Sequence, residues 1–417
     1  MAQTLSEKIL SAKVGSAVKA GEVIITDVDL VFVHDAGGPL CFREMADMGL
    51  ARVARPERSF VFLDHAAPSP RMELSEEHSF LRETAAEQGM RLYDVGAGVC
   101  HQIILEGLAV PGGVTLGTDS HTCTAGALCS FGTGMGASDI AVALGTGKSW
   151  LRVPESIEVR LLGHFPEWVY PKDAVLELER RLGVDGATYK ALEFTGEAVP
   201  RLTVSERATM ANMAVEMGAK VGLFPSDEQT REWMVRYGRG EQWRPIPLDA
   251  GADYESTIEI DLGALEPLVA CPHQPDNVHP VSEVKGTRIH QVFIGTCTNG
   301  RLDDLEVVAR ILKGRKVHPS TRLIVVPPSS TVLREAMARG YLLDIVDAGG
   351  SVGVPGCAAC YGAHMGALAN GENALATQNR NFRGRMGNPE GNIYLSSPAV
   401  AAATALKGVI TDPRELG

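Results

Sequence analysis

Two cysteines separated by two residues, Cys357 and Cys360, lie in the glycine-rich stretch VGVPGCAACYGAH at 352–364. A pair at this spacing serves zinc, thiol–disulfide exchange or an iron–sulfur cluster, and the surroundings decide which. A thioredoxin-like redox pair opens a helix just after a strand in a small domain. Here glycines flank the pair and leave backbone free to wrap a bulky group. Cys297, 60 positions before Cys357, ends a predicted strand and offers a third thiol. Zinc takes four ligands, and His364 would complete that number. Three thiolates also suit a 4Fe–4S cluster with one iron free of protein thiolate, and such an iron is a Lewis acid. Spacing alone leaves zinc and cluster both standing.

Polar residues also gather where predicted strands end. FVFL runs into Asp64 and His65, VTLGT into Asp119, Ser120 and His121, VFIG into Thr296–Asn299, and LVFV into His34 and Asp35. One such residue is ordinarily a cap or loop residue. Four endings place three histidines, three aspartates and a cysteine on one face, where ligands bind in doubly wound sheets. Asn212 and Glu216 are i and i+4 in a predicted helix over 205–220, so they share one side of it. Met210, Met213 and Met217 form the neighbouring stripe and read as core, and Glu216 by itself reads as solvated.

The elements that position these residues alternate. Strands are predicted at 60–65 and 114–119, and helices at 75–89, 170–183 and 205–220. From about 284 the order is strand (IHQVFIG), helix (LDDLEVVARILKG), strand (TRLIVVPP) and helix (STVLREAMARG). Such repetition implies α/β layers with mainly parallel sheet. Composition shifts near 152–156 and 268–286 divide the chain into three expected α/β domains, 1–153, 154–283 and 284–417. Gly132 and Gly134 imitate a dinucleotide fingerprint, but the segment before them is not a strand pattern and no acid ends the next strand.

At 417 residues the chain exceeds one small core. The net charge of −12, without a basic cluster, argues against nucleic acid as partner. No apolar run approaches a membrane span and the start lacks a signal-peptide pattern, so a cytoplasmic location is expected. The eight cysteines are irregularly spaced, which does not suit a disulfide framework.

The segments TLSEKIL, LDHAAPSP, GVCHQIILEG, GTDSHTCTAGAL, FGTGMGASDIA, IGTCTNGRLDDL, PGCAACYGAHMG and NRNFRGRMG span residues 4 to 387. Together they resemble the aconitase superfamily, in particular its large-subunit branch of 3-isopropylmalate dehydratases and homoaconitases. The resemblance implies three α/β domains with mainly parallel sheets around a central iron–sulfur cluster, lacking the swivelling fourth domain. It implies one 4Fe–4S cluster on Cys297, Cys357 and Cys360, whose fourth iron takes water or the substrate's hydroxyl and carboxylate. Asp64 and His65 then correspond to the pair that protonates the leaving hydroxyl. Asp119 with His101, and His121 with Glu216, correspond to two further acid–imidazole couples. Ser120, Asn212 and Asn379 match positions lining cluster and substrate, Arg380 and Arg385 match carboxylate-orienting arginines, and His34 and Asp35 match further substrate contacts.

The implied activity is a reversible dehydration that moves a hydroxyl between adjacent carbons of a hydroxy-dicarboxylate or tricarboxylate. Isopropylmalate, in leucine biosynthesis, is the first expectation. Homoaconitate in lysine biosynthesis and methylated malates are alternatives, with a non-enzymatic RNA-binding regulator as a remote one. In that family a serine on the swivelling domain removes the carbon proton. The sequence closes at KGVITDPRELG, so a separate small subunit is expected to supply that serine and the substrate-selecting loop. Two departures stand out: Ala358-Ala359 where the family has Gly-Pro or a similar pair, and Gly37 where a threonine is typical.

Overall fold

A computed structural model describes residues 2–362 and 364–416, and all counts refer to these. The first sheet has five parallel strands in the order Arg91–Tyr93, Ser59–Phe62, Leu30–His34, Val114–Gly117, Phe131–Gly134. Its three inner strands are buried along their whole length, as parallel strands covered by helices on both faces must be. Parallel pairing brings the carboxyl ends of all five strands to one edge. The chain winds outward from Leu30–His34 in one direction, then returns to its other side at Val114–Gly117. Strand order reverses there, and the crevice at such a switch point is where open α/β sheets bind ligands.

A second sheet is parallel throughout, in the order Val221–Leu223, Ala191–Thr195, Ser156–Leu162, Ser256–Asp261. A third has seven strands, with five parallel ones running Asn392–Ser396, Asn373–Ala376, Gln291–Gly295, Arg322–Val326, Ser351–Val352. Its switch point lies between Gln291–Gly295 and Asn373–Ala376. Cys297 follows the first of these strands and Asn379 the second. One hydrophobic cluster runs from Phe32 and Phe62 through Phe194 and Phe224 to Phe293 and Leu395, so the three sheets share a core at the centre.

Some local readings change. The polar segment 268–286 is not a plain connection: Leu268–Ala270 and Val278–Pro280 pair antiparallel on the edge of the third sheet. Val23–Asp27 and Lys148–Arg152, far apart in sequence, form a separate two-stranded antiparallel ribbon. The helix predicted over 205–220 is α-helical only for Val204–Met213, and Ala214–Met217 tightens into a 3-10 turn. Among the described residues no helix is long and apolar enough to cross a membrane.

The N-terminal helix Leu5–Val14, capped by Thr4 and Glu7, is fastened to the second sheet by one carboxylate. Glu193 accepts the backbone N–H groups of Leu5 (2.7 Å) and Ser6 (2.9 Å) and the hydroxyls of Ser6 (2.9 Å) and Ser156 (2.8 Å). Anionic acceptors are favoured at a helix N-terminus, and removing this one orphans buried donors. Glu193→Ala is expected to destabilise the chain by about 3 kcal/mol, read as a lower urea midpoint at unchanged slope.

Candidate active site

The first wall of the site is built on Asp35. Its carboxylate accepts the backbone N–H groups of Asp64 (3.3 Å), His65 (3.0 Å) and Ala66 (2.8 Å) and hydrogen-bonds His78 Nε2 at 3.2 Å. Both oxygens are thus spent on fixing the turn after the Ser59–Phe62 strand. That turn presents His65 between two carboxylates, with Nδ1 2.9 Å from Asp64 and Nε2 3.1 Å from Asp119. The other oxygen of Asp64 accepts the Cys100 N–H at 2.7 Å.

Asp119 is the junction. It meets His65 through one oxygen. Through the other it meets His101 Nε2 at 2.9 Å and the backbone N–H of His121 at 2.7 Å. His121 Nε2 then lies 2.6 Å from Glu216, whose second oxygen accepts from Arg380 Nε at 2.9 Å. His34 stacks on His65 with ring centroids 4.1 Å apart, and Tyr361 stands edge-on to His65 at 5.1 Å. Ser120 lies next to His121, its hydroxyl 3.5 Å from Nδ1.

Electrostatics divides the stacked histidines. Burial depresses both imidazoles. At His65 this is outweighed by Cys357, Asp64 and Asp119, which hold its pKa well above the usual imidazole value. His34 faces the charge on His65, and burial with that repulsion lowers its pKa. The two stacked rings are thus biased in opposite directions, His65 toward the protonated form and His34 away from it. Burial opposes ionisation of Asp119, but its imidazole partners keep the carboxyl well below the ordinary range. Glu216 is likewise lowered against burial by His121 and Arg380.

The opposite wall carries the thiols. Cys297, Cys357 and Cys360 are 3%, 6% and 2% exposed, so none is a surface cysteine. The Cys357 N–H donates to the Asp64 carbonyl at 2.8 Å, tying the cysteine loop to the acid–imidazole wall. Asn212 Nδ2 points at Cys297 Sγ (3.2 Å), with Asn379 Nδ2 at 3.9 Å, and Arg385 reaches Cys360 Sγ at 3.6 Å. Asn212 Oδ1 accepts from Thr298 Oγ1 (3.0 Å) and Asn379 Nδ2 (3.1 Å), which fixes the amide. Burial, and the neighbouring thiols, push the Cys297 pKa up. Such sulfurs ionise only beside strong positive charge, and N–H donors aimed at them suit thiolates.

A single zinc ion holds thiolates about 3.8 Å apart, from bonds of ~2.3 Å in a tetrahedron. Among the described residues, groups of three metal-ligating side chains converging within 4.8 Å are His34–Asp35–His65, Asp64–His65–Cys357 and His101–Asp119–His121, and none of them contains two cysteines or His364. Among these groups no two thiols share a point with a third donor, and three separate thiols suit a cluster with an iron for each. The donor set fits a cluster.

All sixteen residues singled out above from the sequence lie along the two walls. Asn212 and Glu216 reach them differently from the expectation, because the backbone tightens between them. Missed was Arg301, buried to 2% exposure. Its guanidinium donates to the Cys297 carbonyl and to Thr298 O (2.8 Å), Gln102 Oε1 (3.1 Å) and Ser205 O (3.3 Å), holding the Cys297 turn from behind. His78 was missed too, and nothing in the pattern around either residue distinguishes it from a surface one. The Gly132/Gly134 pair acts through packing. A Cβ on Gly132 would fall 2.3 Å from the Thr122 carbonyl, and one on Gly134 2.5 Å from that of Asp119. Gly37 leaves room for Thr118, whose hydroxyl accepts the His34 N–H at 3.3 Å.

Parallel α/β sheets meeting at two switch points, with acid–imidazole couples facing buried thiols, are those of a known class, and the chain belongs to the aconitase family. The model of that family (aconitate hydratase) matches residues 7–287 and 282–408. Similar curated proteins include the 3-isopropylmalate dehydratase large subunit of Elusimicrobium minutum, 52% identical over 416 residues and 100% of each chain. Large subunit 1 of Thermotoga maritima is also 52% identical, over 99% of each chain. The homoaconitase large subunit of Thermus thermophilus is 50% identical over 100% of this chain and 98% of its own. Among solved structures, Thermococcus kodakaraensis aconitase X in its holo form shares the fold, with a TM-score of 0.51 at 15% identity over 93% of this chain and 94% of that one.

Arg301→Met would leave the Cys297 and Thr298 carbonyls without their donor. It is expected to lower stability by about 2 kcal/mol and to cut the iron retained after anaerobic purification by more than half, measured by thermal unfolding and metal analysis.

Proposed function

We propose that the chain is the large, cluster-binding subunit of a 3-isopropylmalate dehydratase, a hydro-lyase interconverting 2- and 3-isopropylmalate. The observation that carries this is Asp119, shared between two imidazoles opposite three buried thiols, in a chain 52% identical to large subunits of that name. Cys297, Cys357 and Cys360 would hold one 4Fe–4S cluster, which when bound supplies a Lewis-acidic iron lacking a protein thiolate.

The chain's own residues handle protons and charge. His65, held protonated between Asp64 and Asp119, is the acid that gives its proton to the departing hydroxide. Asp64 holds Nδ1 and so orients the ring, and the Nε2 proton leaves its contact with Asp119 for the hydroxide. His101 on Asp119 and His121 on Glu216 hold the departed water for readdition to the neighbouring carbon. Arg385 is suited to a substrate carboxylate: its Nε is buried with no partner among the described residues. Arg380 supplies a second cation and is held by Glu216 until substrate arrives. The proton on the adjacent carbon is taken by a group outside this chain, a serine on a separate small subunit that also carries the substrate-selecting loop. We place this pair in the cytoplasm.

The 50% identity to a homoaconitase large subunit supports a second reading, in which the substrate is a tricarboxylate. Anaerobic reconstitution with the small subunit, followed by parallel assays on isopropylmalate and homoaconitate, separates the two. Isopropylmalate is expected to have the higher kcat/KM by at least tenfold, with both subunits required. Preference for homoaconitate would establish the second reading, and full turnover by the large chain alone would overturn the two-subunit scheme. His65→Asn is expected to lower kcat by about 10²–10⁴-fold, the usual range for losing a general acid, with iron content unchanged.

A further inference from the structure

Lys172 lies in the first turn of the helix Pro171–Leu182, which packs on the helix Val204–Met213 and on the strands Leu268–Ala270 and Val278–Pro280 at the edge of the third sheet, and it is 0% exposed. An ammonium there is doubly unfavourable: it is stripped of water, and it sits at the positive end of the helix dipole. Burial draws its pKa down to about 8 despite Glu179, Cys360, Glu216 and Asp173 nearby. No carboxylate forms an ion pair with it among the described residues. Its Nζ instead donates to two main-chain carbonyls of the third sheet, Thr377 O at 3.2 Å and Gln378 O at 2.6 Å.

Those carbonyls lie just past the Asn373–Ala376 strand, whose last bond to its neighbour runs from the Thr377 N–H to Phe293 O at 3.0 Å. The next two residues are Asn379, whose amide lies against Asn212 and Cys297, and Arg380, whose guanidinium reaches Glu216. On the far side, the Thr377 hydroxyl accepts the Gly295 N–H at 3.0 Å and donates to Asn299 O at 2.8 Å. Gln378 turns its amide onto Arg380 O at 2.7 Å. The segment 377–380 is thus clamped between the strand leading to Cys297 and a lysine on the helix Pro171–Leu182. An apolar residue would occupy this helix position at lower cost, so the position of the two carbonyls is what the ammonium secures.

We propose that Lys172 is a positioning residue, which fixes the exit of the Asn373–Ala376 strand so that Asn379 faces the thiols and Arg380 faces Glu216 and the substrate. Its kinetic consequence rests on the hydro-lyase reading above; its structural consequence does not. The test uses the full-length chain and the reconstituted two-subunit enzyme, each as wild type and Lys172→Met. By hydrogen exchange on the full-length chain, amides in 377–381 should exchange at least tenfold faster in Lys172→Met, with the five-stranded sheet unaffected. In the assembled enzyme the KM for isopropylmalate should rise about tenfold, and Lys172→Met combined with Arg380→Lys should cost less than the product of the two single effects, because part of each passes through the Arg380 guanidinium. Lys172→Arg, which keeps charge and donors, should recover part of the loss. Wild-type exchange at 377–381, or effects of the two substitutions that multiply, overturns the proposal. Should Lys172→Met fail to fold, Lys172→Gln is measured the same way, and unchanged exchange there is equally fatal. If the wild-type enzyme leaves isopropylmalate untouched, the functional reading fails while the exchange result still decides the role of Lys172.

Discussion

An ionised carboxylate can only accept hydrogen bonds, and that restriction at Asp119 organises the site. Two imidazoles and a main-chain N–H converge on its oxygens, so each imidazole must present a proton to it. His65 and His101 are thereby fixed in orientation, and the charge of Asp119 is kept by the partners it orders. Asp119 stands at the end of one strand, His65 at the end of a second, and His101 near the start of a helix. The convergence exists because parallel strands deliver their carboxyl ends to one edge. Register of the five-stranded sheet and protonation of the site are one constraint.

The same reasoning explains what the sequence shows. Fully apolar parallel strands such as LVFV and FVFL announce themselves, and the polar residues that follow are visible by contrast. Burial of a cation is different, because tertiary neighbours decide it. Arg301 follows a CTNG turn and Lys172 opens an ordinary amphipathic helix, yet both lie inside, and each donates to main-chain carbonyls just past a strand of the third sheet. Asn212 and Glu216 were legible as neighbours on a regular helix, but the backbone leaves the α-helix at Met213. The polar stretch at 268–286 concealed two short strands because three-residue strands carry too little alternation to read.

The departures from the family pattern also acquire physical content. Ala358, between the last two cysteines, sits at φ 49°, in the left-handed region that glycine enters more cheaply. Its neighbours hold it there, since the Cys357 N–H is bound to Asp64 and the Cys360 N–H to Cys357. Gly37 stands against Thr118, which follows the adjacent strand, and a Cβ at position 37 would meet that side chain at 3.0 Å.

The grip of Glu193 on the first helix spans 188 residues of chain. A ribosome adding about 5–20 residues per second needs roughly 10–40 s to cover that distance. Throughout this interval the amides of Leu5 and Ser6 have no acceptor to close on, and the apolar side of their helix has no second sheet beside it. The first turn must therefore wait for an acceptor not yet made, although Ile24, Val28 and Val31 are at hand for its apolar side, and closure of its contact with the second sheet is timed by synthesis.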